Sequence, residues 1–392
     1  MRSVYLDHAA TTPVHPEVIA AMLPYFNPTF GNASSVHGFG RQGRMAIDNA
    51  RDTLAKALGA QANEIYFTSG GTESDNIALR GVAAAMADKG RHIITTSIEH
   101  HAILDTCAHL AKQGFEITYL PVDADGLVDP EDVKAAIRPD TILISIGHAN
   151  NEMGAIQPLA EIGAIAKEHG VYLHTDAVQS FGTLPIDVNE LQVDLLSLSG
   201  HKIYGPKGIG ALYVRRGTRV RPIMFGGGQE RKLRPGTENV AGIVGLAKAV
   251  ELAMAEREER VKEMTRLRDK LIDGLLAVPH VTLNGHREKR LPGNVNISVK
   301  YVEGESLILS LDLRGIAVSS GSACTSGSLE PSHVLIAMGL DHLQAHGSLR
   351  LTLGRDTTDE DIDYVLEVFP EVVERLRSMS PLYNRLEREE EK

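Results

Sequence analysis

From about residue 45 to residue 240 the chain alternates short, β-rich apolar runs with stretches of helical spacing. The runs are EIYFTS (64–69), HIITTSIE (92–99), FEITYLPV (115–122), TILISIGH (141–148), VYLHTDA (171–177), DLLSLS (194–199) and GALYVRR (210–216). Several are apolar almost throughout, the pattern of strands covered on both faces. Helical periodicity fills most of the gaps. The clearest case puts Pro158 in a first turn ahead of LAEIGAIAKEHG, with Gly170 as the stop. This alternation predicts an α/β fold with a mostly parallel seven-stranded sheet between helices.

The pattern then changes. Val240 to Leu276 reads as one long helix with a charged stretch, EREERVKEM. VTLNG, NVNISVK and the run around IAVSS read as strands of a smaller α+β unit. TTDEDIDYVLEVFPEVVERLRSM reads as an amphipathic helix with Thr358 as N-cap and Pro370 expected to kink or divide it. The organisation expected is a large α/β domain over 16–257 and a smaller α+β domain from 1–15 plus 258–392. A chain of 392 residues is long enough for two such cores.

Composition narrows the function classes. The formal net charge is -11 and no polybasic patch occurs, which argues against direct nucleic-acid binding. MRSVYLDHAATTP carries Asp and His where a signal peptide needs an apolar run, and no apolar stretch approaches the roughly 20 residues that span a bilayer. The two cysteines sit in contexts too different to suggest a disulfide framework. The expectation is a cytoplasmic enzyme with no membrane contact.

Open α/β sheets build their sites at the carboxyl ends of the strands. After EIYFTS comes GGTESDN, where two glycines allow a tight turn and Thr72 and Glu73 open a helix. A helix N-terminus with free N–H groups is an anion site, and an ordinary glycine turn has the same sequence. His100 and His101, Asn150 and Asn151, Asp176 with Gln179, and Gly200-His201-Lys202 follow four further runs. Together they suggest one polar site on one sheet edge. His100, His148, His174, Asp176 and His201 are metal-ligand types, but no tight ligand motif such as HExxH or paired CxxC is present. Pyridoxal phosphate (PLP) fits better. Its aldehyde needs a lysine, its phosphate an N–H-rich turn, and its ring nitrogen a carboxylate. Lys202 is the best lysine, between a strand and a glycine-rich turn; Lys207 lies deeper in that turn and reads as a surface residue.

The cysteines differ. Cys107, in HAILDTCAHLAK, has apolar neighbours at helical spacing and reads as core filler. Cys324 lies in SSGSACTSGS, too polar and glycine-rich for a core. On this stretch alone a reactive thiol and a tolerated surface cysteine are both open.

SGHKIYGPKGIG, with YLDHAATTP, FTSGGTESDN, EHHAILDTC, HANNEMG, HTDAVQS and RPGTEN, resembles the PLP-dependent cysteine desulfurases of the class V aminotransferase-like family. SSGSACTSGSLEPSH is similar to the NifS/IscS group; the SufS-type group carries a tighter cysteine motif. The resemblance runs from about Tyr5 to the last helix. It implies the PLP-dependent transferase fold (fold type I) and conversion of L-cysteine to L-alanine. Lys202 would bind the cofactor aldehyde, Asp176 the ring nitrogen and Gln179 the ring hydroxyl. His100 would stack on the ring, and His100 or Lys202 would move the α-proton. Gly71, Thr72, Ser199 and His201 would hold the phosphate, completed by Thr237 of a second subunit in a homodimer. Asn151 and Arg350 would bind the substrate carboxylate. Unaided, Arg350 reads as a strand-surface arginine. Cys324 would take the sulfur as a persulfide and pass it to an iron–sulfur scaffold protein of the IscU or NifU kind, or into tRNA thiolation. A transient [2Fe–2S] cluster shared with the scaffold would use Cys324 as ligand.

Other readings change the chemistry. A PLP aminotransferase, or a selenocysteine or cysteine lyase, would not need Cys324. A sulfur-trafficking protein would carry a vestigial site. A nicotinamide-dependent dehydrogenase is disfavoured, because no GxGxxG follows the first strand.

Overall fold

The computed structural model describes residues 2–320, 331–381 and 383. Among the described residues, twelve strands and eleven α-helices follow in chain order. All seven expected central runs form strands: β2 Ile65–Thr68, β3 His92–Thr96, β4 Glu116–Leu120, β5 Thr141–Ser145, β6 Tyr172–Asp176, β7 Leu195–Ser199 and β8 Gly210–Val214. Their order is β2-β8-β7-β6-β5-β3-β4. Only β8 runs against its neighbours, β2 and β7. The carboxyl ends of β2, β3, β5, β6 and β7 therefore share one edge.

Neighbouring residues on a strand face opposite ways, and the core divides accordingly. Ile94, Ile144 and Leu196 join a cluster with α2 (Gly38–Leu58) and the first half of α7 (Val240–Leu276). Ile93, Leu143 and Leu195 join a second cluster with α3 (Gly71–Met86) and α4 (His101–Ala111). Burial on both faces explains why β3, β5, β7 and β8 are apolar or small at nearly every position. Helices α1 (Pro16–Met22), α5 (Pro130–Ala136) and α6 (Leu159–Glu168) complete this part. Pro158 is the N-cap of α6 rather than a first-turn residue, and Gly170 follows the helix in a left-handed conformation.

A third cluster lies around an antiparallel sheet of order β12-β10-β9, made of β9 (Val281–Leu283), β10 (Asn294–Val299) and β12 (Ser348–Thr352). Leu267, Leu271 and Leu275 bring the second half of α7 into it. The N-terminus joins through β1 (Val4–Tyr5), which pairs in parallel with β11 (Ile316–Ala317). Helices α8 (Gly304–Asp312), α9 (His333–Ala337), α10 (His342–His346) and α11 (Asp359–Ser378) complete the chain as described. Thr358 caps α11 in a reciprocal capping box with Asp361. The helix is not divided at Pro370. Phe369, Val372 and Val373 on either side of it are buried in the third cluster, and that packing outweighs the lost hydrogen bond.

Candidate active site

The edge formed by the five strand ends opens into a cavity of about 340 Å3. Lys202 ends a short turn, Gly200–Lys202, directly after β7. Its Nζ donates to the carbonyls of Ala9 and Ala10, the latter at 2.8 Å. The segment DHAATTP is laced onto this turn. Thr12 donates through Oγ1 to the His201 carbonyl at 2.9 Å and accepts the Tyr204 N–H at 2.9 Å. His201 Nδ1 lies 3.1 Å from Thr11 Oγ1. The lysine is thereby fixed by residues almost two hundred positions earlier. Lys207 is exposed and lies outside the cavity lining.

Asp176 ends β6 and accepts the Val178 N–H at 2.8 Å. Burial raises its pKa; that N–H bond and the charges of His100 and Lys202 pull it back. His100 caps α4, and its Nδ1 accepts the Ala102 N–H at 3.1 Å. Burial lowers its pKa, with Asp176 opposing and Lys202 adding to the effect. A neutral His100 with an acceptor Nδ1 carries its proton on Nε2. Burial, Lys202 and Lys207 push His201 down to about 4. Gln179 donates to the Ala9 carbonyl at 3.0 Å.

The anion end is the N-terminus of α3. Gly70 precedes it with φ of 153° and no side chain caps the first turn. A Cβ on Gly71 would stand 2.6 Å from Val178 Cγ2, so only glycine lets the helix start this close to the turn after β6. Gly71, Thr72 and Ser199 line the cavity here, where free N–H groups and the helix dipole favour an anion.

Arg350, buried on β12, reaches the same cavity. Nη1 donates to the Asn151 carbonyl at 3.0 Å, Nη2 pairs with Asp7 at 3.0 Å, and buried Nε has no partner. Of the residues that the family resemblance implies, all except Thr237 and Cys324 line this one cavity, whereas His101 and Gly200 do not. Thr237 is exposed on its own chain. Cys324 lies outside the described residues. Both flanks of its segment are anchored beside the cavity. Ser319 exchanges two backbone hydrogen bonds with Arg350 (2.7 and 3.1 Å). On the far side Ser332 donates to Glu152, and His333 Nε2 lies 3.0 Å from the Glu99 carbonyl. Cys107 is fully buried on α4, and burial pushes its thiol up to about 12. No cluster of three or more metal-ligand side chains occurs among the described residues.

Two buried acids were missed in the sequence. Glu99 accepts the Thr96 hydroxyl at 2.7 Å and the Gly147 N–H at 3.0 Å, and burial pushes it up to about 7. Asp75, on α3, is raised well above the carboxylate range by burial and by Asp176. The available signal was position: Glu99 directly precedes His100, and Asp75 lies one turn into α3.

The donor set fits PLP: an ammonium, a buried carboxylate, a neutral imidazole and an uncapped helix N-terminus around a volume at the small end of ligand sites, roughly 300–1,000 Å3. The Aminotransferase class-V family model matches residues 4–365. "Cysteine desulfurase IscS" of Methanosarcina thermophila is 61% identical over 97% of this chain and 94% of its own. The protein of that name from Dictyoglomus turgidum is 57% identical over 97% of each chain. Among solved structures, a "NIFS-LIKE PROTEIN" superposes with a TM-score of 0.91 at 40% identity, covering 96% of this chain and 100% of its own. "SspA in complex with cysteine" gives 0.82 at 40% identity over 91% and 100%.

Proposed function

The chain belongs to the class V aminotransferase family, and from that premise we propose how its residues perform cysteine desulfuration. It is a PLP-dependent cysteine desulfurase that converts L-cysteine to L-alanine and supplies sulfur for iron–sulfur cluster assembly. One observation carries the residue assignment: Lys202, Asp176, His100, the α3 N-terminus and Arg350 come from five separate elements and line a single cavity.

Lys202 would hold the cofactor aldehyde, Asp176 would serve the ring nitrogen and Gln179 the ring hydroxyl. His100 would lie against the ring, and Gly71, Thr72, Ser199 and His201 would hold the phosphate. When bound, PLP supplies an electron sink for the substrate α-carbon. Lys202 and the Nε2 of His100 hold and move the proton released there. Asn151 and the Arg350 fork fix the substrate carboxylate.

The Cys324 thiolate attacks the substrate sulfur. A sulfur–sulfur bond forms as the substrate carbon–sulfur bond breaks. The electron pair of the broken bond stays with the β-carbon, which takes up a proton and leaves as alanine. The anchoring of Ser319 at Arg350 supports this role. Cys324 follows Ser319 by five residues, so at most ~3.6 Å per residue bounds its distance from that anchor to about 18 Å. A free thiol is only a few per cent ionised at neutral pH, so the cations of the cavity favour the attacking form.

The same proposal includes a cytoplasmic homodimer in which Thr237 serves the partner's phosphate site, and a scaffold protein of the IscU or NifU kind as sulfur acceptor. Supply to tRNA thiolation and a transient [2Fe–2S] cluster bound by Cys324 complete it. Residues 16–257 act as the cofactor domain, and 1–15 with 258–392 as the domain carrying the Cys324 segment. The test is peptide mass analysis after one equivalent of L-cysteine without reductant. One added sulfur atom on the Cys324 peptide, with alanine released, is expected. PLP-loaded protein that releases alanine with no sulfur on that peptide would overturn the assignment of the nucleophile.

A further inference from the structure

The segment from Gln229 to Glu238 is held more firmly than an exposed loop requires. Glu230, Arg231 and Lys232 are consecutive non-glycine residues with φ of 43°, 53° and 67°. L-residues visit this left-handed region singly, because the side chain crowds the backbone. A run of three persists only where the surroundings over-determine it.

Those surroundings are on the neighbouring elements. Buried Glu230 accepts two bonds from Arg51, at 2.6 and 2.8 Å, and the Phe67 N–H at 2.9 Å. Arg51 itself is buried, 4.8 Å above the Phe67 ring. Arg231 lies 4.0 Å above the Tyr66 ring and donates to the Ile65 carbonyl at 2.6 Å. The strained turn is thus fastened to β2, the strand that leads into the α3 anion site. Gln229 closes the loop by accepting the Gly236 N–H at 3.0 Å. Arg234 pairs with Glu73 in the first turn of α3, and Glu238 with Arg44 of α2, each at 2.9 Å. Between those last two fastenings sits Thr237, exposed and outside its own chain's cavity.

We propose that Arg51 and Glu230 are positioning residues that hold this segment as a rigid projection, presenting the Thr237 hydroxyl to the cofactor phosphate in a second copy of the chain. The proposal rests on the homodimer and on the Thr237 role proposed above. A loose loop would lose in ordering entropy much of what one hydrogen bond to phosphate contributes. A turn already strained into shape has been ordered during folding. The buried ion pair suits this task, because removing one charge leaves the other unpaired and frees the turn.

The test uses E230Q, and also R234M, which leaves Glu230 and its buried partner intact. Each is reconstituted with PLP and titrated by absorbance, with sedimentation confirming the dimer. Loss of a phosphate hydrogen bond predicts roughly ten- to a hundredfold weaker PLP binding. Mixed dimers of E230Q with K202A are then given PLP at a concentration that leaves E230Q homodimers empty, and reduced with borohydride. Covalent label on the E230Q chain of the mixed dimer is expected, because its Lys202 is served by the intact projection of its partner. PLP affinity equal to wild type in E230Q, or in R234M should E230Q fail to fold, would overturn the positioning role. Weakened binding without label in mixed dimers would overturn action across subunits. Wild-type protein that binds PLP but forms no persulfide would instead count against the desulfurase assignment, leaving these binding readouts valid.

Discussion

Replacing Arg350 by lysine tests the proposed substrate clamp. The guanidinium is buried and held from two sides, by the Asn151 carbonyl at 3.0 Å and by Asp7 at 3.0 Å, while Nε has no protein partner. It offers a carboxylate a fixed, charge-assisted donor in a planar fork. Lysine keeps the charge but brings one compact ammonium, which cannot hold Asp7 and Asn151 and still present a fork. One charged hydrogen bond contributes about 1.5–3 kcal/mol. At 1.4 kcal/mol per tenfold, kcat/KM for L-cysteine should fall about ten- to a hundredfold. Most of the loss should appear in KM, because the carboxylate is held equally in the ground and transition states. The assay is alanine formation against cysteine concentration, with bound-PLP absorbance as control for the cofactor site. Cysteamine lacks the carboxylate, so wild type and R350K should use it equally poorly. A kcat/KM for L-cysteine within about twofold of wild type would refute the clamp.

Further predictions concern the sulfur, the lysine and a buried acid. C324S should bind PLP and L-cysteine yet form no persulfide; its remaining thiol, on Cys107, is buried and pushed up to about 12, so the native variant should resist alkylation and label only on unfolding, and prompt labelling would contradict the burial argument. K202A should give no alanine in a single-turnover assay; normal release would remove the lysine from its role. Glu99, pushed from 4.5 to about 7, keeps its proton in the folded apoprotein over a pH interval in which the unfolded chain has lost it. Its contribution is therefore fully present below about pH 4.5 and is lost as pH rises through 7, a span worth about 3 kcal/mol. In urea melts of apoprotein, E99Q should match wild type near about pH 4 and exceed it by up to about 3 kcal/mol near pH 8; a difference constant with pH would refute the buried-acid account.

What could be read in advance depended on whether a residue's environment is set locally or by convergence. β5 and β7 were legible because burial on both faces demands apolar residues at successive positions, whatever lies elsewhere. Lys202, Asp176 and His100 were legible because a polar residue directly after such a strand has one edge to occupy. Thr358 carried its own signal in the box it forms with Asp361. Pro370 misled because a local rule met the packing of Phe369 and Val372. Glu99 reads in the chain as an ordinary loop acid; only the fold removes it from water and gives it the Gly147 N–H from another strand's end. Arg350 needed the family resemblance for the same reason, since its ion-pair partner Asp7 lies 343 positions away.

Arg51 and Glu230 take this reasoning one step further. Separated by 179 positions, an arginine in an amphipathic helix and a glutamate after three glycines each have ordinary local explanations. Their pairing against β2 makes a left-handed turn of three side-chain-bearing residues tenable, and that turn sets where Thr237 stands. The residues that decide the geometry of a site are then those whose partners are most distant in sequence. Substitution at such a pair should alter cofactor binding more than substitution at an exposed charge of α7 such as Glu263, whose ion pair with Arg266 lies one turn along the same helix, faces water and contributes little.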